Sequence, residues 1–224
     1  LLAMPDYKEI IRRRRFIQWI LAPIVLVTIG LGWWYPILGF SVPLVMVMGL
    51  VGGMIRGRYV CGNLCPRGGF FDRMLSPFSP AKTIPGVFRR EIVRWGILAL
   101  LMGLMVFRNL QNPTFWAHWG RVFWVMCVVT TAVGGILGLF VHYRSWCAFC
   151  PMGTLQSALG GLKKPLQISA ERCIECRRCE KVCPMTLPIV SHKATGVVNE
   201  RDCLRCSECV AVCPKQALFW SKGL

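Results

Sequence analysis

The chain alternates between long uncharged stretches and short basic ones. An α-helix rises about 1.5 Å per residue, so about 20 apolar residues cross a hydrocarbon core of about 30 Å. Four stretches come close to or reach that length. The pattern therefore predicts an all-α membrane domain of four transmembrane helices, at residues 16–35, 37–55, 92–107 and 122–142.

Aromatic, proline and glycine residues arrange these helices into two hairpins. Pro36 ends the first helix directly after Trp33, Trp34 and Tyr35, a composition typical of the membrane–water interface. A signal peptide would end in small residues instead. Glycines four residues apart predict close helix contacts. They are Gly49, Gly53 and Gly57 in the second helix and its exit, and Gly134 and Gly138 in the fourth.

Basic residues flank the apolar spans and orient them. The chain carries 27 Lys and Arg against 10 Asp and Glu, a net charge of +17. If the N-terminus is cytoplasmic, all basic residues except Arg108 and Arg121 lie inside, on the side that they favour. We therefore predict a bacterial or archaeal cytoplasmic membrane protein with four passes and both termini inside. Nucleic-acid binding is disfavoured, because it needs an exposed basic face with aromatic or polar readers.

Composition also divides the chain. With 54% hydrophobic residues, the sequence is too apolar for a soluble α/β domain, and the apolar residues cluster before residue 160. We predict a basic cytoplasmic lead at 1–15, a transmembrane domain at 16–160 and a polar domain at 161–224. The third helix is the shortest, and Arg94 near its start is expected to extend its charged end back to the interface.

The polar domain contains two cysteine runs with one spacing, C-x2-C-x2-C-x3-C-P. A cubane [4Fe–4S] cluster needs four thiolates from different directions, and the two x2 gaps wrap one loop around three of its irons. The fourth thiolate must come from elsewhere. A zinc site or a disulfide knot would fit a single C-x2-C pair, but it would not explain two complete runs with both prolines. The runs are Cys173, Cys176, Cys179, Cys183-Pro184 and Cys203, Cys206, Cys209, Cys213-Pro214.

In this spacing, residues 166–219 resemble a bacterial 2[4Fe–4S] ferredoxin module. The resemblance implies a small pseudo-symmetric α+β fold with strand pieces at 196–198 and 217–219. It also implies that the last cysteine of each run ligates the other cluster. The implied ligands are Cys173, Cys176, Cys179 and Cys213 for one cluster, and Cys203, Cys206, Cys209 and Cys183 for the second.

Each predicted hairpin ends in another cysteine pair followed by proline. The first is Cys61-x3-Cys65-Pro66-x-Gly68 and the second is Cys147-x2-Cys150-Pro151-x-Gly153. The shared C-P-x-G makes hairpin plus motif an internal repeat. Parallel repeats bring equivalent segments together around an axis along the membrane normal, so the four thiols are expected to meet at one depth.

Three interpretations of Cys61, Cys65, Cys147 and Cys150 remain open. They could ligate a third iron–sulfur cluster at the membrane surface. They could be reduced thiols that act as small apolar residues, with the prolines ending the helices. They could form a dithiol switch, which C-x2-C chemistry permits. Cys127, in the fourth helix, is expected to be a small apolar residue without a partner.

The whole arrangement resembles the family of membrane-bound polyferredoxins. That family includes the membrane subunit (quinol dehydrogenase) of periplasmic nitrate reductase systems, the methylamine-utilisation ferredoxin and the C-terminal half of the nitrous-oxide-reductase regulator. Its members usually carry C-x3-C-P twice, whereas the second motif here is C-x2-C-P. The resemblance implies quinol oxidation that feeds a reductase through partner iron–sulfur proteins.

The first functional hypothesis is a membrane-anchored electron-transfer subunit of a respiratory oxidoreductase complex, which exchanges electrons between the quinol/quinone pool and redox proteins. The alternative is a redox-sensing or maturation factor that supplies electrons to the assembly of another metalloenzyme. A third hypothesis is a simple anchor for a larger oxidoreductase. The sequence shows no catalytic nucleophile or acid–base pair, so no catalytic residue is assigned.

Weaker signals concern quinone, haem and partners. Interfacial candidates for a quinone are His142 with Tyr143 and Arg144 inside, or Trp116, His118 and Trp119 outside. Haem is not predicted, because no pair of histidines faces each other within the spans. The basic residues Arg177, Arg178 and Lys181 could dock an acidic redox partner or anionic lipid headgroups.

Overall fold

The computed structural model describes residues 7–220, and its first 160 residues are mostly helical. The long helices are α1 (Tyr7–Leu31), α2 (Ser41–Arg56), α5 (Glu91–Leu110) and α6 (Trp116–Phe140). The short helices are α3 (Tyr59–Asn63), α4 (Pro66–Phe70), α7 (Ser145–Phe149), α8 (Pro151–Gly160), α9 (Arg178–Lys181) and α10 (Glu208–Ala211). A π-helix covers Phe71–Leu75, and 3-10 helices cover Pro36–Phe40, Ser76–Phe78, Gly86–Arg89 and Val190–His192.

Within the described chain, three helical segments are long and apolar enough to cross a membrane. They are Tyr7–Leu31, Pro36–Arg56 and Trp116–Phe140. The third predicted span forms α5, but Arg94 and Arg108 limit its uncharged run to residues 95–107. Thirteen residues of helix cover only about 20 Å. The prediction of four passes therefore stays a prediction for α5.

The structure adds one detail to the predicted helices and corrects another. Helix α1 begins at Tyr7, so the four arginines at 12–15 of the predicted basic lead are helical and continue into the first apolar span. Arginine is a good helix former, and Arg14 is buried within the fold. Arg94 does not extend to the interface. It is 4% exposed and donates to the carboxylate of Asp202, because a buried guanidinium needs a charged partner.

The predicted small-residue faces contact short helices that follow the cysteine motifs. Gly49 and Gly53 of α2 pack against Gln156 of α8. Gly134 of α6 packs against Phe71, which occupies the corresponding place in the first repeat. Each motif is thus followed by a helix that packs on the second long helix of the other repeat. The two repeats interlock around the region where the cysteine pairs lie.

The C-terminal module is a three-stranded antiparallel sheet with the short helices α9 and α10. The strands are β1 (Leu166–Ile168), β2 (Val197–Val198) and β3 (Leu218–Trp220), in the order β2-β1-β3. Leu166 pairs with Val198 on one side and with Trp220 on the other. The strand pieces predicted at 196–198 and 217–219 are confirmed as β2 and β3. Their central partner, β1, was not predicted.

The C-terminal module packs directly on the helical domain. Leu204 is 2% exposed, and its carbonyl oxygen lies so close to Gly62 that a Cβ there would overlap it. Arg89 donates to the backbone carbonyls of Met185 and Thr186, and α10 contacts α1. The second cysteine run therefore lies between the helices and the rest of the module.

Candidate iron–sulfur sites

The two cysteine runs adopt the same backbone conformation. Glu175 and Arg177 in the first run have positive φ angles of 55° and 54°, and Arg205 and Ser207 in the second have 54° and 61°. Residues other than glycine rarely adopt this region. Its repetition at matching positions shows that both loops curl around a centre with their cysteines inward.

Each loop encloses a hollow that the fourth cysteine of the other run completes. The first hollow, about 370 Å³ with its mouth included, is lined by Cys173, Cys176, Cys179 and Cys213. The second, about 400 Å³, is lined by Cys203, Cys206, Cys209 and Cys183. The structure thus brings together the two sets of four that the ferredoxin resemblance implies. The four sulfur ligands of a cubane cluster surround a hollow of this kind and do not converge on a single metal ion. Consistently, no cluster of three His, Cys, Asp or Glu side chains among residues 7–220 would hold a single metal ion.

The thiols of these hollows are poor anions without a metal. Burial raises the pKa of Cys203 to about 12 and that of Cys179 to about 11. It likewise raises the pKa of Cys183 to about 11. Ligation requires the thiolate, and iron binding displaces the protons. Four convergent sulfurs in an apolar surrounding fit a [4Fe–4S] cluster, whose thiolate ligands are neutralised by iron.

The cysteine pairs of the two repeats meet at one cavity of about 940 Å³, mouth included. Helices α1 and α2 contribute apolar side chains to one side of it, among them Ile24, Val25, Val42, Val45 and Met46. The four cysteines of the two predicted pairs line this one cavity. We call this space the membrane-face cavity. Its cysteines are Cys61, Cys65, Cys147 and Cys150.

Two arginines cross between the repeats beside these cysteines. Arg58 precedes Cys61 by three residues and donates to the carbonyl of Cys147. Arg144 precedes Cys147 by three residues and donates to the carbonyl of Cys61 at 3.3 Å and to the sulfur of Cys147 at 3.4 Å. Both side chains have no solvent exposure. Buried cations next to four sulfurs suit an anionic cluster or thiolate group.

The glycine of each C-P-x-G motif makes room for these arginines. A Cβ at Gly68 would lie 3.0 Å from Nη1 of Arg144, and one at Gly153 would lie 2.6 Å from Nη2 of Arg58. This pair of cross-repeat contacts explains why glycine follows each Cys-Pro after one residue. The sequence contained a signal for the arginines, since both motifs begin R-x2-C. That signal was missed.

Buried carboxylates hold the two arginines in place. Asp72 accepts from Arg144 at 2.6 Å and from Arg14 at 2.9 Å, and Gln18 adds a further donor. Burial favours the neutral form of Asp72, but Arg144 and Arg14 outweigh it and lower its pKa. In this group Arg14 also pairs with Glu208 at 3.0 Å, whereas in the second group one aspartate serves two buried arginines, which leaves positive charge beside the cysteines. That aspartate is Asp202, with Arg58 at 2.7 Å and Arg94 at 2.6 Å.

Cys127 also lines the membrane-face cavity. Its sulfur lies 3.6 Å from Nη2 of Arg67, the residue between Pro66 and Gly68. It is 6% exposed, so the predicted burial is confirmed, but the expectation that it lacks a partner is wrong. Sequence spacing gave no hint of the contact, because 60 residues separate the two.

Three residues that line the membrane-face cavity each carry a buried polar atom with no hydrogen-bond partner within the described chain. The atoms are Nε of Arg58, Nε1 of Trp146 and Oε1 of Gln156. The three side chains are at most 4% exposed. Unsatisfied buried groups cost about 1–3 kcal/mol each, so two donors and one acceptor on cavity-lining residues favour a polar ligand.

The quinone candidates proposed from sequence lie elsewhere. His142 is buried and stacks on Tyr143 with ring centroids 4.4 Å apart, and neither lines the membrane-face cavity. Arg144 belongs to the Asp72 network. His118 is bonded to the carbonyl of Arg108 at 2.8 Å, at the opposite end of the long helices. These residues have structural partners.

Comparison with known protein families supports the iron–sulfur assignment. Residues 172–218 match a family model described as a 4Fe-4S dicluster domain. Residues 38–85 and 116–169 each match one described as a 4Fe-4S binding domain. The second model thus matches the second long helix and the cysteine motif of both repeats. No solved structure matches the chain.

Three curated relatives point in the same direction. The chain is 24% identical over 151 residues to an uncharacterised protein of Methanocaldococcus jannaschii, covering 64% of this chain and 58% of that protein. It is 32% identical over 93 residues to the "Putative electron transport protein YccM" of Escherichia coli K12, covering 40% and 24%. It is 26% identical over 162 residues to the methylamine utilization ferredoxin-type protein MauN of Methylobacillus flagellatus, covering 65% and 56%.

The matched region spans little more than half of two of these relatives and a quarter of the third. Taken with the family models, they identify ferredoxin-type iron–sulfur domains.

Proposed function

We propose that the protein is a membrane-anchored subunit that exchanges electrons between the quinol/quinone pool and redox protein partners through three [4Fe–4S] clusters. The observation that carries the proposal is the convergence of both cysteine pairs on one cavity. Apolar side chains of α1 and α2 line one side of that cavity, and Gly62, the neighbour of its Cys61, contacts Leu204 of the second ferredoxin loop. A membrane electron carrier needs both contacts.

The proposed ligands follow the three hollows, and the residues present fit the clusters. Bound clusters would supply one-electron steps, which split the two electrons of a quinol. The role of the chain is to hold them close together in low-dielectric surroundings. The proposed sets are Cys173, Cys176, Cys179 and Cys213; Cys203, Cys206, Cys209 and Cys183; and Cys61, Cys65, Cys147 and Cys150.

Direct contacts join the third set to the second. Gly62, next to Cys61, touches Leu204, next to Cys203. Arg58 beside the membrane-face cavity binds Asp202, which precedes Cys203. No solvent layer or flexible linker separates the two hollows at these contacts. The order of electron exchange is therefore membrane-face cavity, second ferredoxin site, first ferredoxin site.

Membrane insertion with four passes agrees with the same convergence. Cys65 precedes α5 and Cys150 follows α6, yet both line one cavity. Because α6 is long enough to cross the bilayer once, α5 must cross in the other direction to bring the second motif back. We propose the cytoplasmic side for the cysteine sites, following the flanking basic residues.

The membrane-face cavity also suits a quinone headgroup. The Nε–H of Arg58 and the Nε1–H of Trp146 lack partners and could donate to a quinone oxygen, while Oε1 of Gln156 could accept from a quinol hydroxyl. Quinol oxidation to quinone releases two electrons and two protons. Bound clusters would accept the electrons one at a time for transfer to a protein partner, and the protons would pass to water; quinone reduction would be the reverse.

Metal content tests the third cluster. Anaerobically purified protein should contain about twelve irons and about twelve acid-labile sulfides, since each [4Fe–4S] centre holds four of each. The double variant Cys61→Ser/Cys147→Ser should retain about eight, with both ferredoxin EPR signals. Cys127→Ser is the matched control, because it lines the same cavity, and should keep about twelve. About eight irons in the unaltered protein would contradict the third cluster.

Quinol reduction tests the exchange itself. A short-chain quinol should reduce the visible absorbance of the unaltered protein reconstituted in lipid. In Cys61→Ser/Cys147→Ser, dithionite should still reduce the ferredoxin sites but quinol should not. Quinol-dependent reduction at an unchanged rate in this variant would remove the membrane-face cavity from the pathway.

A further inference from the structure

The first ferredoxin loop presents an exposed surface that the second loop does not. Ile174 lies between Cys173 and Cys176 and is 58% exposed. Arg172, Arg177, Arg178 and Lys181 surround it and are also exposed. Cys176 itself is exposed. We call these residues, with Ile174 at their centre, the Ile174 face.

In the second loop, the position that corresponds to Ile174 is covered by the helical domain. Leu204 corresponds to Ile174 and is 2% exposed, because Gly62 of the helical domain packs on it. Glu208 corresponds to Arg178 and binds Arg14 of α1 at 3.0 Å. An apolar residue between two cysteines thus forms the centre of an intramolecular electron-transfer contact, with ion pairs around it. The Ile174 face has the same layout but no covering element among residues 7–220.

The charge of the Ile174 face specifies the partner. Within the described chain, no carboxylate lies within ion-pairing distance of Arg172, Arg177, Arg178 or Lys181. Two carboxylates of the same loop are engaged elsewhere: Glu175 binds Lys193 at 2.8 Å, and Glu180 accepts from the amide of Val190 at 2.9 Å. The corresponding positions in the second loop carry Asp202, Ser207, Glu208 and Ala211, so the basic character belongs to this face alone.

We propose that the Ile174 face docks an acidic one-electron carrier protein, which exchanges electrons with the first ferredoxin site. The inference rests on the proposed cluster at Cys173, Cys176, Cys179 and Cys213. A carrier with a negative surface around its own exposed redox group would gain long-range attraction and correct orientation. The alternative occupant is an anionic membrane surface, which fits less well. Helix α10 of the second loop contacts α1, and α9 of the first loop packs on α10, so the first loop lies on the side of α10 away from the helical domain.

The test measures binding and electron exchange separately. Protein in nanodiscs of neutral lipid is titrated with a strongly acidic plant-type [2Fe–2S] ferredoxin as the probe. We expect saturable binding that weakens steeply with ionic strength. The charge-reversal variant Arg177→Glu/Arg178→Glu/Lys181→Glu should bind at least tenfold more weakly, and Ile174→Asp should also bind more weakly at high salt.

A matched control carries the same charge change elsewhere. Arg13, Lys82 and Arg201 are exposed and lie outside the face, so Arg13→Glu/Lys82→Glu/Arg201→Glu should change ferredoxin binding less than threefold. Equal losses in both triple variants would overturn a localised face. So would retention of ferredoxin binding by the face variant combined with loss of binding to phosphatidylglycerol vesicles, which would assign the residues to lipid.

The outcome is independent of the quinol reaction. If docking fails, quinol should still reduce the clusters of the charge-reversal variant at the unaltered rate. If the proposed function fails, the acidic ferredoxin should still bind and exchange electrons with dithionite-reduced protein. The two results therefore distinguish an error about the partner from an error about the membrane reaction.

Discussion

In both hairpin repeats an arginine lies three residues before the first cysteine. The aspartates that pair with these two arginines come from different parts of the chain. In the first repeat, Asp72 lies seven residues after Cys65 and binds Arg144. In the second, the residue seven after Cys150 is Ser157, which donates to Asp202 of the ferredoxin module at 3.1 Å. The second repeat thus borrows its carboxylate from the C-terminal module.

This difference teaches how the module is attached. Without Asp202, the buried cations Arg58 and Arg94 would have no carboxylate partner. The buried charges of the helical domain are therefore balanced only when the C-terminal module is docked. Asp202 also immediately precedes Cys203. Attachment, charge balance and placement of the second cysteine run therefore depend on one residue, whereas Asp72 serves the helices alone.

The largest predicted effect comes from removing these carboxylates. Asp72→Ala and Asp202→Ala should each destabilise the protein by about 3–5 kcal/mol, because the first leaves buried Arg144 without a carboxylate and the second leaves both Arg58 and Arg94 without one. Hydrogen exchange should separate them. Asp72→Ala should raise exchange around residues 11–18 and 66–76, while Asp202→Ala should raise it in the module around 200–212. Identical exchange patterns would contradict the division of roles.

Restoring the symmetry of the repeats should reverse part of that loss. In an Asp202→Asn background, Ser157→Asp places a carboxylate where Asp72 stands in the first repeat. We expect recovery of about 2 kcal/mol of unfolding free energy, since Arg58 regains a charged acceptor. Ser157→Asp alone should destabilise, because two carboxylates then share one site. Thermal unfolding in detergent measures both, and no recovery in the double variant would refute the equivalence.

The residue after the first cysteine of each pair offers a smaller comparison. Gly62→Ala should cost about 1–3 kcal/mol and slow electron exchange between the membrane-face cavity and the module, because the new Cβ pushes against Leu204. Ala148→Gly, at the matching position of the second repeat, should cost about 1 kcal/mol through helix entropy. Stopped-flow quinol reduction checks the rate. An unchanged rate in Gly62→Ala would show that this contact does not set the distance.

The smallest predicted effect is on how the free energy of unfolding depends on pH. Although burial disfavours its charge, Asp72 has a lowered pKa because Arg144 and Arg14 stabilise the carboxylate. A lowered folded-state pKa adds stability above the unfolded pKa, near 4, and that stability is lost as pH falls through the folded value. The stability gap between the unaltered protein and Asp72→Asn should therefore stay constant down to about pH 4 and narrow below it. Unfolding titrations from pH 7 to pH 3 measure this, and a gap that grows on acidification would be inconsistent with it.

Much of the site was predictable because cysteine chemistry is local in sequence. The x2 gaps of the runs at 173–183 and 203–213 constrain the loop geometry directly, and the repeated C-P-x-G identified Cys61, Cys65, Cys147 and Cys150 as one group. The strand pieces beside the runs followed from the ferredoxin resemblance. The pairing of the buried arginines with aspartates could not be predicted, since Arg58 and Asp202 are separated by 144 residues.

The predicted helices were largely found for a similar reason. Hydrophobic length is a property of contiguous residues, so α1, α2 and α6 could be read from the chain. The partner of Arg94 could not be predicted from the sequence. An arginine near a helix start can extend to water or bind a buried carboxylate, and the sequence around it is the same in both cases. Cys127 was misjudged on the same ground, since its contact with Arg67 exists only in three dimensions.

By itself, then, the sequence determined the kinds of atoms available: apolar helices, thirteen cysteines at fixed spacings and an excess of positive charge. Tertiary structure alone decided which charges are buried together, which loop of the module faces the helices and which remains open. The physical reason is range. Backbone spacing fixes groups a few residues apart, whereas the pairing of buried charges depends on packing between segments that are far apart along the chain.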